Sequence, residues 1–525
     1  MHILMLAAEN GALAGGKVGG IADVIRDVPK ALAEQGHTVS VITPGYLSLS
    51  KMNASEYRGE QQITFLGRPE VLQLYEAWPT APSEGVRHLL LEHPLFAAGG
   101  IGQIYCNDDQ GPFATDASKF ALLCLAVAQL IEETTLGEID VLHLHDWHAA
   151  PLALLSRYST YYEKLRHIPL VYTIHNLAIQ GIRPLSGHIS SLHAWYPELQ
   201  VKVDLVQDPL HKDCINLMRA GINLADKVHA VSPSYAQEIL KPSDPEQAFV
   251  GGGGLEADLK RVWEDGRLFG ILNGCDYSNS ADRKPSRTAL YNMIEQSLKQ
   301  WVGSERLCLT SHFLALERLH EWRKARKGPD FLFTSIGRLT AQKASLLCHP
   351  APSIENQRTA TLDIVLRNNP KSHFIVLGSG DSGFEDFFRQ AMARNNNLLF
   401  LCGFSEPLAN SLYSSADLFL MPSSFEPCGI SQLLAMRAGT PCLVHRVGGL
   451  RDTISNGHNG FTFEGNGLDE QALRMLQCFD EALSTMENPE RWRSMCAKAK
   501  ATRFTWEDTV AAYLKHLYRC DPGSL

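Results

Sequence analysis

Ten short, continuous apolar runs, each followed by a polar turn and a helical pattern, constrain this chain more than any other feature. They lie at 2–8, 39–43, 141–145, 170–175 and 228–232 in the first half, and at 331–336, 374–378, 398–403, 418–422 and 441–445 in the second. A strand that is apolar throughout needs cover on both faces, which is the condition of a parallel sheet flanked by helices. Two such series, split by a polar stretch, predict an α/β protein of two doubly wound domains. The boundary is expected after Ile271-Leu272-Asn273-Gly274, because 276–286 is polar, carries Pro285 and lacks periodicity. A first domain over 1–278 and a second over 279–500 follow, the latter entered by a helical tract at 289–326. A last helix near 506–518, inside a 501–525 tail, could belong to either domain or pack back on the first. At 525 residues the chain is longer than one core usually supports, and two domains of roughly 200–250 residues accommodate it.

The net charge of −9, from 48 basic and 57 acidic residues, argues against a nucleic-acid binder. Twelve cysteines occur without CxxC pairs, several in apolar runs (Cys124, Cys402, Cys442). That distribution suits reduced, buried thiols in a cytoplasmic protein rather than a disulfide framework, and it offers no metal-ligand spacing. The opening MHILMLAAEN lacks a basic region and turns acidic at Glu9, as a first core strand would. The longest helical apolar stretch, 121–131, is too short to cross a bilayer, so no membrane partner is expected.

In open α/β sheets, ligands bind beyond the carboxyl ends of the strands, and the informative polar residues lie there. After the run at 418–422 comes a tight turn, the acid Glu426, the kinked Pro427-Cys428-Gly429 and a helix pattern with Ile430, Leu433 and Leu434. A glycine turn before a helix start is an anion site, since the first helical N–H groups lack partners. A carboxylate beside a phosphate cradle repels phosphate, so it suits a neutral polyol or a carbon becoming cationic. A sugar nucleotide provides both parts. The first strand leads into Glu9-Asn10-Gly11-Ala12-Leu13-Ala14-Gly15-Gly16-Lys17-Val18-Gly19-Gly20, then a helix pattern stopping at Gly36. Gly11 to Lys17 nearly fits GxxxxGK[ST], but Val18 fills the position of the Mg²⁺-ligating hydroxyl, which disfavours an ATPase loop. His143-Leu144-His145-Asp146-Trp147-His148 invites a metal reading, yet alternation puts His143 and His145 on one strand face and His148 past the turn. A polar rim for a sugar suits His148 and Asp146 better, with Asp146 also a candidate N-cap; His175-Asn176 ends another strand in the same way. Arg338 and Lys343, just past a strand, could clamp a diphosphate and stabilise charge on the leaving group.

With these motifs in place, the chain resembles the bacterial glycogen synthase and plant starch synthase family of retaining glucosyltransferases. The matches run along almost the whole length: Lys17-x-Gly-Gly-x-Ala-Asp23, His145-Asp146-Trp147-His148, His175-Asn176-x-Ala-x-Gln180-Gly181 and Val231-Ser232-Pro233-Ser234-Tyr235 in the first half. Ile271-Leu272-Asn273-Gly274, Arg338-Leu339-Thr340-x-Gln342-Lys343 and Phe425-Glu426-Pro427-Cys428-Gly429-Ile430-Ser431-Gln432 follow. The resemblance implies two Rossmann-like domains in the GT-B arrangement, facing each other across a deep cleft. It also implies transfer of glucose from ADP-glucose to the 4-hydroxyl at the non-reducing end of an α-1,4-glucan such as glycogen. Lys17, Arg338 and Lys343 would engage the donor phosphates, with Gly19, Gly20 and the helix start Gly429-Ile430-Ser431 close to the donor. Asp116, His148 and Asn273 would line the glucose or acceptor side, and Glu426 would face the donor glucose as the key acid. By the same analogy attack comes from the leaving-group face, and neither metal nor organic cofactor is expected.

The chain departs from the family pattern at several points. Val18 stands for threonine, Ser424 for the arginine before FEPCG, Ala344 and Leu346 for glycine and aspartate, and Phe404 for tyrosine. The loop from Glu9 to Lys17 is about two residues longer than usual, the tract through Gln357 is irregular, and no Trp-Asn-Pro follows near Tyr277. Lost hydroxyl contacts at Val18 and Phe404 amount to about 1 kcal/mol each. The alternatives are a related glycosyltransferase using another donor, UDP-glucose, and a catalytically weak paralogue that binds glucan or regulates a synthase.

Overall fold

The structure is a computed structural model that describes residues 1–109, 111–278, 284–304, 309–351 and 359–519. The chain divides into two compact units. The first comprises Met1–Pro242, Gly251–Gly274 and Trp506–Leu525; the second comprises Ser243–Val250 and Cys275–Thr505. The division thus falls at 274/275, directly after the Ile271-Leu272-Asn273-Gly274 motif and four residues before the end of the expected 1–278 domain, and the last helix is grouped with the first unit.

The second unit is built on six parallel strands in the spatial order Leu398–Leu401, His373–Leu377, Leu332–Ile336, Leu418–Met421, Cys442–His445, Gly460–Phe463. Numbered along the chain this is 3-2-1-4-5-6, the doubly wound order. The chain reverses its direction of travel between Leu332–Ile336 and Leu418–Met421, which opens a crevice at their carboxyl ends. All six strands are buried almost throughout because helices cover both faces.

The first unit repeats that order and extends it. Its sheet runs Leu268–Gly270, Lys227–Ala230, Leu170–Ile174, Val141–His145, His2–Leu6, Thr38–Pro44, Val86–Glu92, and the reversal lies between His2–Leu6 and Val141–His145. All ten apolar runs are strands, shifted by a few residues at most. The first sheet also carries an antiparallel edge that the apolar runs do not mark. A hairpin of Ala54–Phe65 and Arg68–Trp78 joins Val86–Glu92 antiparallel, at the sheet edge. Its residues alternate between buried and exposed, so it carries no continuous apolar run to betray it.

Two helical expectations also change. The tract at 289–326 comprises two helices, Arg287–Ser304 and Thr310–Lys324. The apolar stretch at 121–131 belongs to a longer helix, Ala114–Glu132, whose length and composition would allow a bilayer crossing, yet 89% of its most apolar window is buried inside the protein. The helix Trp506–His516 packs on Gly20–Glu34 and shares a core cluster with Val24, Ile25 and Val28 of that helix through Trp506, Val510 and Tyr513.

Candidate active site

In the second unit, the residues after Leu332–Ile336 and those after Leu418–Met421 meet at the chain-reversal point. Glu426 is 6% exposed, and its Oε2 accepts a hydrogen bond from Ser423 Oγ at 3.1 Å and an ion pair from the Lys343 ammonium. Ser423 is fixed in turn, because its carbonyl accepts a hydrogen bond from His445 Nδ1 at 3.0 Å. A carbonyl can only accept, so Nδ1 carries the proton, and burial holds the His445 pKa below its ordinary value. The Glu426 backbone carbonyl accepts the Gly449 N–H at 3.0 Å, so the main chain of the turn is held as well as the carboxylate.

Gly429 has φ +78, the left-handed conformation that turns the chain into the helix Ser431–Ala438, with Ile430 as its half-exposed N-cap residue. The first N–H groups of this helix therefore open beside the Glu426 turn. Arg338 is exposed, while Lys343 lies on the helix Ala341–Cys348; both line a small pocket with Gly337, Met421, Pro422 and Ser423. Ser424, where the family pattern has arginine, acts as a staple: its N–H and Oγ donate to the Gln342 carbonyl at 2.8 and 3.3 Å. Gln342 Nε2 donates back to the Phe425 carbonyl at 2.9 Å, tying the Lys343 loop to the Glu426 turn. Ala344 and Leu346 are buried in the helix, where glycine and aspartate were the family pattern, and Phe404 is 61% exposed. Part of the irregular tract, 352–358, lies outside the described residues.

In the first unit, Lys17, Gly19 and Gly20 lie at the start of the helix Gly20–Glu34. Lys17 Nζ donates to Asp23 at 2.6 Å, and Asp23 is also 3.0 Å from Arg26. Glu9 Oε2 accepts the N–H groups of Val18 at 2.9 Å and Gly19 at 2.6 Å, so this helix start holds an anion supplied by the chain itself. On the other side of the reversal point, the helix Asp146–Tyr158 follows strand Val141–His145 directly. Asp146 is not its N-cap; it has φ +56 and its carboxylate accepts the His175 N–H at 2.7 Å, pinning the His175-Asn176 turn. Burial raises the Asp146 pKa to about 7. His143 and His145 share a strand face, their rings 4.3 Å apart, and bond to Tyr518, Thr173 and His175. Among the described residues no group of three or more His, Cys, Asp or Glu is arranged to hold a metal ion.

His148 is 7% exposed; burial, followed by the charge of Lys119, depresses its pKa to about 3, so the ring is neutral. His148 Nδ1 and Asn273 Oδ1 are buried polar atoms without a partner among the described residues. Such atoms are costly unless a bound group satisfies them. Asp116 faces inward: it is 2% exposed and bonds to Lys119 and to the Cys106 N–H. Sequence reasoning assigned no role to Tyr105, Lys119, Ser423 or His445, which support the candidate side chains; Ser423 and Lys119 each bond a candidate acid three residues away, whereas Tyr105 and His445 meet their partners only through folding.

A family profile described as the starch synthase catalytic domain matches residues 2–261, and one for glycosyl transferases group 1 matches 318–495. The chain is 34% identical to a protein named glycogen synthase from Streptococcus equi subsp. equi, across 98% of each chain. It is 31% identical to another of that name from Exiguobacterium sibiricum, across 96% of each. The catalytic domain of starch synthase IV from Arabidopsis thaliana, solved with ADP and acarbose, shares the fold with a TM-score of 0.75 and 24% identity over 98% of both chains.

Proposed function

The chain belongs to the glycogen and starch synthase family of GT-B glycosyltransferases, and on that premise we propose that it acts as a glycogen synthase using ADP-glucose. It would add glucose to the 4-hydroxyl at the non-reducing end of an α-1,4-glucan with retention of configuration. The observation that carries this reading is Glu426, a buried carboxylate braced by Lys343 and Ser423 beside a free helix start. The helix start Gly429-Ile430-Ser431 with Arg338 and Lys343 binds the diphosphate and stabilises the charge that develops as the glycosidic bond breaks. Glu426 faces the glucose, where a carboxylate favours positive charge at the anomeric carbon, and the departing phosphate takes the acceptor proton. Lys17, Gly19 and Gly20 of the first unit would also bind donor phosphate; His148, Asn273 and Asp116 would form a sugar side, with neutral His148 accepting or donating one hydrogen bond. The ten described cysteines are all thiols, which supports a reducing, cytoplasmic location.

Purified protein incubated with a glycogen primer and labelled ADP-glucose or UDP-glucose tests the proposal. Incorporation from ADP-glucose is expected, and Glu426→Ala should lower it by at least about 100-fold. Glucan binding without incorporation from either donor would favour the regulatory alternative and overturn the proposal. Preference for UDP-glucose would overturn the donor assignment.

A further inference from the structure

One buried charge has no part in the reaction outlined above. Lys119, 0% exposed on the helix Ala114–Glu132, spends all its donors on nearby groups: the Ile104 carbonyl at 2.7 Å, Asp116 Oδ1 at 2.8 Å and Cys106 Sγ at 3.7 Å. Asp116 in turn accepts the Cys106 N–H, at 3.2 Å to Oδ2 and 3.3 Å to Oδ1. Residues on both sides of Tyr105 are therefore clamped to one helix. Apolar side chains often fill such a space with equal stability, so stability alone gives no reason to bury an ion pair here.

What the clamp holds is Tyr105. Its hydroxyl donates to Glu9 Oε1 at 2.8 Å, and its ring lies 5.5 Å from that of His148. Burial, then the charge of Glu9, raises the phenol pKa well above its ordinary value, so the proton stays on tyrosine. The other Glu9 oxygen holds the Val18 and Gly19 amides, the last N–H groups before the helix Gly20–Glu34. A continuous path thus runs from a buried ion pair to the glycine loop.

We propose that Lys119 is a positioning residue for glucosyl transfer: through Tyr105 and Glu9 it keeps the glycine loop in the shape that presents Lys17 and Gly20 to the donor diphosphate. The proposal rests on the donor role given to that loop under the proposed function. Glu9 is then the internal acceptor that shapes the loop, and Lys17, which also pairs with Asp23, is the loop's own cation for the donor.

Three variants test it: Tyr105→Phe, the charge-free pair Asp116→Asn with Lys119→Met, and all three changes together. A loop that binds donor alike in ground and transition states predicts a donor KM raised about tenfold in Tyr105→Phe with kcat nearly unchanged, as for loss of one hydrogen bond to a charged group. In the charge-free background the same Tyr105→Phe change should cost less than about twofold, because residues acting in series are not additive. Amide exchange of the peptide spanning Lys17 to Gly20 should quicken about tenfold in Tyr105→Phe and in the charge-free pair alike. Equal effects of Tyr105→Phe in both backgrounds, or unchanged amide exchange, would overturn the proposal. If the parent protein transfers no glucose from either donor, the proposed function falls, while the exchange measurement still decides whether the clamp holds the loop.

Discussion

At the scale of single residues, burial decides which side chains are charged. The pKa of His148 is depressed to about 3, and those of His88 and His229 to about 4, from 6.5, by desolvation. His143, His145 and His175 shift in the same direction for the same reason. Each such histidine is neutral when folded and protonatable when unfolded, so stability falls as pH drops from 6.5 toward those folded values. Asp146 works the other way: its pKa rises from 3.8 to about 7, so its contribution falls as pH increases through that window. The histidines outnumber it, and the protein should lose stability as pH falls from about 6.5 to 5. Urea midpoints at the two pH values check this; equal midpoints would contradict it. Glu426, Arg338 and Lys343 were legible in the sequence, since each follows an apolar run in a motif. Ser423 and His445 were not, because a hydrogen bond across 22 residues leaves no local trace.

At the scale of elements, two glycines of one segment separate chemistry from stability. Gly439 ends the helix Ser431–Ala438 with φ +88, and the nearest atom to an added Cβ would be 3.6 Å away. Gly439→Ala should cost only the left-handed strain, about 1–2 kcal/mol, and leave turnover unchanged. At Gly449 an added Cβ would fall 2.2 Å from the Cys428 carbonyl, backbone that cannot swing aside. Gly449→Ala should push the Glu426 turn out of place, destabilise by about 1–3 kcal/mol and lower incorporation at least about tenfold. Thermal melts beside the primer assay distinguish the two; full activity in Gly449→Ala would remove the turn from the argument. Strand–turn–helix units were readable because apolar runs and glycine punctuation are local signals. The hairpin Ala54–Trp78 was not, because an alternating edge pair resembles polar loop.

At the scale of the whole molecule, the chain completes its first unit only with its final helix. Removing residues from 506 onward would strip Trp506, Val510 and Tyr513 from the cluster on Gly20–Glu34 and leave His143 without Tyr518. Such a truncation should give little soluble protein, or a first unit cut rapidly by protease; a stable, protease-resistant product would contradict the packing. The sequence by itself determined the class of fold and ten of the thirteen parallel strands, and it singled out Glu426 as the candidate acid beyond a strand's carboxyl end, because apolar periodicity and turn residues act within a few positions. Only the tertiary structure decided that Ser424 staples two loops, that Glu9 occupies the helix start beside Lys17, that Asp116 turns inward to Lys119, and which unit the last helix completes. Those outcomes depend on which distant groups compete for each buried donor and acceptor, and that competition exists only once the chain has folded.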